Sequence, residues 1–174
     1  MVGDLFPVSR VLLISYLVVH PDMRGRGLGS ATLARVLPIW FEQHRPLATL
    51  GEVEDPRVHR ARPGQDPIGR LRLYGRLGAR ILDIPYLQPE INRGHGRVRD
   101  LFLIASPAHS LGVQGTEPAL DADLVETFLT EYFTSAEGIG EPDAELTALL
   151  KAVRRRLNVP LISPGGSCTP MRPE

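Results

Sequence analysis

Val11, Leu12, Leu13 and Ile14, then Ser15 and Tyr16, then Leu17, Val18 and Val19 form a nearly unbroken apolar run rich in β-branched residues. Such a run reads as a strand buried on both faces, and so a central one. His20, Pro21 and Asp22 stop it. From Leu28 the period changes. Leu28, Ala31, Leu33, Ala34, Leu37, Trp40 and Phe41 recur at helical spacing and predict a helix over residues 28–44, with a kink or an early end at Pro38. Residues 48–54 predict a second, shorter strand. Strand, helix, strand in this order implies a parallel βαβ unit.

Further along, residues 55–65 read as a polar loop. Asp66 and Pro67 then have the chemistry of a helix start, and Gly78 that of the residue closing it, which predicts a helix over 68–77. Residues 80–87 and 98–105 read as two strands paired antiparallel across a turn at 92–96, with Pro85 marking a bulge or an edge. Two amphipathic helices follow over 121–136 and 142–157; Leu124, Val125, Phe128, Leu129, Tyr132 and Phe133 make the apolar stripe of the first. A Pro/Gly-rich stretch ends the chain.

Composition narrows this picture. At 174 residues, with 43% hydrophobic and 23% charged, the chain is globular and long enough for one domain with an appendage. A net charge of zero speaks against a dedicated nucleic-acid or anionic-membrane binder. Arg154, Arg155 and Arg156 read as solvated charge at a helix end. Lys151 is the only lysine, a bias that fits a GC-rich genome. The single cysteine, Cys168, permits no internal disulfide and fits a reducing compartment. No signal peptide is apparent, and the run at 11–19 is too short to span a bilayer, so a soluble cytoplasmic protein is expected.

The candidate chemistry lies between the first strand and its helix. Arg24, Gly25, Arg26, Gly27, Leu28, Gly29 and Ser30 form a glycine-rich loop feeding a helix N-terminus. Such an end offers unpaired N–H groups and partial positive charge to phosphate oxygens. Gly25, Gly27 and Gly29 let the phosphates approach the backbone; Arg24 and Arg26 add charge. The spacing fits neither the P-loop nor the dinucleotide fingerprint.

The loop resembles the Arg/Gln-x-x-Gly-x-Gly/Ala acetyl-CoA motif of the GNAT N-acetyltransferases. Leu73-Tyr74-Gly75-Arg76-Leu77-Gly78-Ala79 resembles the family's second motif in its tyrosine and its glycine, with Leu and Ala where flanking aromatics are usual. The resemblance covers about residues 8–106. It implies an α/β fold: a mixed, mostly antiparallel sheet around a parallel βαβ acyl-CoA-binding unit, with C-terminal helices added. Acetyl-CoA would be the acyl donor, its pantetheine pairing with Leu17, Val18 and Val19, and a small-molecule or peptide amine would be the acceptor. Tyr74 would protonate the departing thiolate. Glu52, on the same strand face as Glu54 by alternation, would be the base, and His59 is a weaker second candidate. His20 reads as structural, and no metal is expected, since no ligand spacing is present.

Relative to that family, only ten residues precede the first long strand, where three strands and two helices are usual. Strand 11–19 would then be an unpaired edge. A start assigned too late, a fragment, or completion by another chain, such as a homodimer, would each explain it, and a truncated reading is preferred. The expected division is an acyl-CoA-binding domain over 1–107, a helical extension over 108–160 and a flexible tail over 161–174. A catalytically impaired CoA-binding or regulatory module, or a subunit of a larger assembly, is the alternative.

Overall fold

The computed structural model describes residues 1–59, 66–138 and 140–164. One mixed sheet of eight strands runs through it: β1 (Val2–Phe6), β2 (Val11–Tyr16), β3 (Ala48–Glu54), β4 (Arg80–Leu82), β5 (Leu101–Ala105), β6 (Val113–Gln114), β7 (Ala119–Asp121) and β8 (Asn158–Ile162), in the order β1-β2-β3-β5-β4-β8-β7-β6. Only β2 and β3 are parallel. Their crossover is α1 (Leu28–His44), as the period change implies. Pro38 does not end α1, which continues to His44.

α2 (Pro67–Arg76) begins as its sequence dictates. The Asp66 side chain accepts from the Gly69 N–H at 2.9 Å, Pro67 occupies the first turn, and Gly78 takes φ 85° after the helix. α3 (Ala122–Glu137) is capped by Asp121 and closed by Gly138 at φ 68°; α4 (Ala144–Arg154) is capped by Asp143.

Several expectations are corrected. The first strand stops at Tyr16 rather than Val19, and only its first half, Val11 to Leu13, is fully buried. Its outer ladder is not bare: β1 pairs antiparallel along it, from Phe6↔Val11 to Val2↔Tyr16. Among the described residues β1, not β2, is the edge of the sheet on this side. The signal for β1 was weak because Gly3 and Asp4 interrupt it. The strands expected over 80–87 and 98–105 shrink to β4 and β5, leaving a single bridge, Gln88↔Val98, beyond them. Pro85 follows the strand instead of bulging it. The start of the expected tail, 161–162, belongs to β8, which lies between β4 and β7; residues 165–174, with Cys168, lie outside the described residues.

The main core lies where α3 and α4 cover the sheet. Phe128, Leu129 and Phe133 of α3 and Val153 of α4 pack with Leu13, Leu50 and Leu103 of the sheet. This core is continuous across residue 107. A smaller cluster, Val53, Ala79, Ile81, Phe102 and Ile104, packs with Leu71 and Tyr74 of α2. The sheet therefore has two covered faces, and the strands between them position the site.

Candidate functional site

The parallel ladder is short. β2 and β3 pair from Val11↔Ala48 to Ile14↔Gly51. Beyond that point β3 keeps its partner on the other side, through Glu52↔Leu103, Val53↔Phe102 and Glu54↔Leu101. The two parallel strands have parted. Ser15 and Tyr16, followed by Leu17, Val18 and Val19, run along one lip of the opening, and Glu52 stands at its fork. Backbone amides along such a lip can pair with an extended, amide-bearing ligand as an added strand would. Val18 is 75% exposed, so ordinary core packing does not account for its position.

The glycine loop follows directly. A single turn over Pro21–Met23 redirects the chain, and Arg24 Nε donates to the Val19 carbonyl at 3.1 Å. Gly25 and Gly27 have φ 76° and 75°, a conformation in which a side chain is strained. Gly27 is the N-cap of α1, and the first intrahelical bond runs from the Ala31 N–H to its carbonyl at 2.9 Å. The first turn of α1 contains no acidic residue. Its N–H groups and the positive end of the helix dipole thus meet no carboxylate of that turn. Gly29 needs no special conformation; a Cβ there would lie 3.8 Å from Leu17 and Val19, in ordinary contact.

Glu52 is held from three directions. The Tyr86 hydroxyl donates to Oε1, Gln88 Nε2 donates to Oε2 at 2.5 Å, and the Tyr132 hydroxyl lies 3.5 Å from Oε1. Burial pushes its carboxyl above the usual glutamate range, while the bonds from Tyr86, Gln88 and Tyr132 oppose that rise. Burial likewise raises the pKa of Tyr74, against the pull of Arg70. Tyr74 and Glu52 line one small cavity of about 50 Å³, together with Ile14, Gly51, Leu77 and Ile104. Glu52 also lines a separate cleft of about 750 Å³, walled by β1, the 88–98 segment and α3. One carboxylate therefore borders two spaces.

The other candidates separate from this centre. Glu54 turns to α2 and pairs with Arg70 at 3.0 Å. His59 borders neither cavity; its backbone N–H donates to Asp55 O at 2.9 Å, and its Nε2 is buried without a hydrogen-bond partner among the described residues. Residues 60–65 of the polar loop lie outside the described residues. His20 is exposed and lies 3.7 Å from Asp22. Among the described residues no group of three or more His, Cys, Asp or Glu could hold a metal ion, and no helix is long and apolar enough to cross a membrane.

Three partners of Glu52 escaped the sequence reading. Tyr86 follows a proline at the end of a fading strand pattern. Gln88 carries no motif. Tyr132 sits in the apolar stripe of α3, where a tyrosine reads as core; its hydroxyl, the one polar tip in that stripe, is the signal that could have marked it. Compared with known proteins, the chain matches no family model, no curated protein and no solved structure.

Proposed function

We propose that this chain is an acyl-CoA-dependent N-acyltransferase, with acetyl-CoA as donor and an amine as acceptor. The observation that carries the reading is the parting of β2 and β3 just ahead of a glycine-rich helix N-terminus, with Glu52 at the fork. In this reading Gly25, Gly27, Leu28, Gly29 and Ser30 offer N–H groups to the pyrophosphate, and Arg24 and Arg26 add charge beside it. The pantetheine lies along Leu17, Val18 and Val19 and brings the thioester to the fork. The resemblance of the loop to the N-acetyltransferase motif points the same way.

The acceptor comes to Glu52 from the larger cleft. Its nitrogen attacks the thioester carbonyl as Glu52 takes a proton from it. A carboxylate whose proton affinity is raised by burial is a better base than an exposed one. The C–S bond then breaks, and the thiolate is protonated by Tyr74, a phenol that is neutral and able to donate near pH 7. A second reading, a CoA-binding module without turnover, is favoured by one observation: both oxygens of Glu52 already accept hydrogen bonds within the chain.

Calorimetry with acetyl-CoA and thiol release from acetyl-CoA in the presence of an amine panel test these readings. Saturable binding with amine-dependent thiol release, lost in Tyr74→Phe, is the expected result. Binding without release selects the module. No binding at millimolar acetyl-CoA removes both.

A further inference from the structure

The cleft beyond Glu52 has a chemistry of its own. At about 750 Å³ it falls within the range of small-molecule sites, roughly 300–1,000 Å³. Leu5, Ile91 and Val98 give it apolar surface. Its charged lining is predominantly acidic. Asp4, Glu52 and Glu131 contribute carboxylates and His95 an imidazole, and no arginine or lysine lines it among the described residues.

The hydrogen-bond partners of these carboxylates are all neutral. Asp4 accepts from the Ser15 hydroxyl. Glu131 accepts from the Val8 and Ser9 N–H groups at 3.0 and 2.9 Å and from Ser9 Oγ at 2.8 Å. Glu52 accepts from Tyr86 and Gln88. Elsewhere the chain does pair its acids with arginine: Glu137 with Arg97 at 2.6 Å, Asp83 with Arg156 at 2.8 Å, Glu126 with Arg154 at 2.5 Å. The cleft therefore joins apolar walls to three carboxylates with no arginine or lysine beside them among the described residues, His95 being its one basic side chain.

Register sets the distance between the charges. Asp4 pairs with Leu13, Leu13 pairs with Leu50, and Glu52 is two residues past Leu50 on the same strand face. Two strand spacings and a two-residue offset separate their backbones by roughly 12 Å. An extended aliphatic chain with nitrogens at both ends fits between carboxylates reaching inward from those positions. A carboxylate on the acceptor would meet like charge at Asp4, Glu52 and Glu131.

We infer that the acceptor of this site is a small aliphatic di- or polyamine, with one nitrogen at Glu52 and a second, as ammonium, against the wall of Asp4 and Glu131. The assignment as acceptor rests on the acyl-transfer reading; the assignment of the cleft to a dication does not. In the transfer step the nitrogen at Glu52 gives one proton to that carboxylate and forms the C–N bond as the C–S bond of the acyl thioester breaks. The thiolate receives its proton from Tyr74. The distal ammonium keeps its protons and only holds the chain in place.

Calorimetric titration of the whole chain with 1,4-diaminobutane and spermidine, against butylamine and 4-aminobutyrate, tests this without turnover. The expected result is diamine or triamine binding at least tenfold tighter than butylamine, with 4-aminobutyrate weakest. Asp4→Asn, an exposed position, should lower diamine affinity at least threefold and leave butylamine unchanged. Equal affinity for diamine and butylamine, a preference for 4-aminobutyrate, no amine binding at all, or an unmoved Asp4→Asn would each overturn the inference. Acetyl-CoA titrated in parallel separates the failures. If it does not bind while the diamines do, the transfer reading falls and the dication site stands. If it binds while the amines are not distinguished, the dication site falls alone.

Discussion

On the face of the sheet covered by α1 and α2, neighbours in sequence meet in space. β2, the glycine loop, α1 and β3 follow one another, and Tyr74 arrives on the next helix. On the face covered by α3 and α4, the contacts are distant. Glu52 is held by Tyr86, Gln88 and Tyr132, the last of them 80 positions away. The difference separates two tasks. Local segments present a glycine-rich helix end, whereas long-range packing positions a carboxylate. Damage to the second can leave the first intact.

The sharpest break of this comparison is Glu52→Gln. It should lower kcat by about 10²- to 10⁴-fold, the usual contribution of a general base, while calorimetric affinity for acetyl-CoA stays within error. The wild-type acid limb of kcat/KM should lie above the ordinary glutamate value of 4.5, because activity is lost as pH falls through the raised pKa and the base is protonated. The stability linkage has the opposite slope. The folded state binds this proton more tightly than the unfolded one, so stability falls as pH rises from 4.5 towards the raised value, and Glu52→Gln removes that contribution.

Next comes Phe128→Ala. Phe128 is fully buried, meets Phe6 edge-on at 5.3 Å and stacks on Tyr132 at 5.6 Å. Its truncation should cost about 3–5 kcal/mol in urea unfolding. It should also loosen Tyr132 and lower kcat more than acetyl-CoA affinity. A variant that loses both equally would erase the distinction between the faces.

Much of the local face was legible in the sequence. The boundaries of α1 and β3 follow from a change of period, and the Asp66-Pro67 start and the Gly78 stop follow from capping chemistry. β1 was not legible, because Gly3 and Asp4 break the alternation and its stability comes from pairing with β2. β8 was hidden for a similar reason: Pro160 lies inside it, and its place between β4 and β7 is a tertiary fact. Of the site, motif residues could be found one by one. The network around Glu52 could not, since nothing in a single sequence links Tyr86 to residue 52.

A smaller effect tests the local face. Gly27→Ala forces a side chain into φ 75° and should cost about 1–2 kcal/mol of stability. Acetyl-CoA affinity should fall by about tenfold as the helix end shifts, with kcat at saturation nearly preserved. Smallest of all, Glu54→Gln removes a partly exposed pair with Arg70 and should change stability by less than about 1 kcal/mol. Thiol-release rates within about twofold of wild type would distinguish it from Glu52, two residues away.

The slot filled by β8 also has a consequence for synthesis. When β4 and β5 leave the ribosome, the strand that will lie beside β4 has not yet been translated, and at about 5–20 residues per second it follows several seconds later. During that interval β4 presents an open edge, and α3 emerges with its aromatic stripe uncovered by the finished sheet. A nascent chain in this state exposes apolar surface that the finished fold buries. Slow codons between residues 82 and 158 would lengthen its exposure without changing a single amino acid.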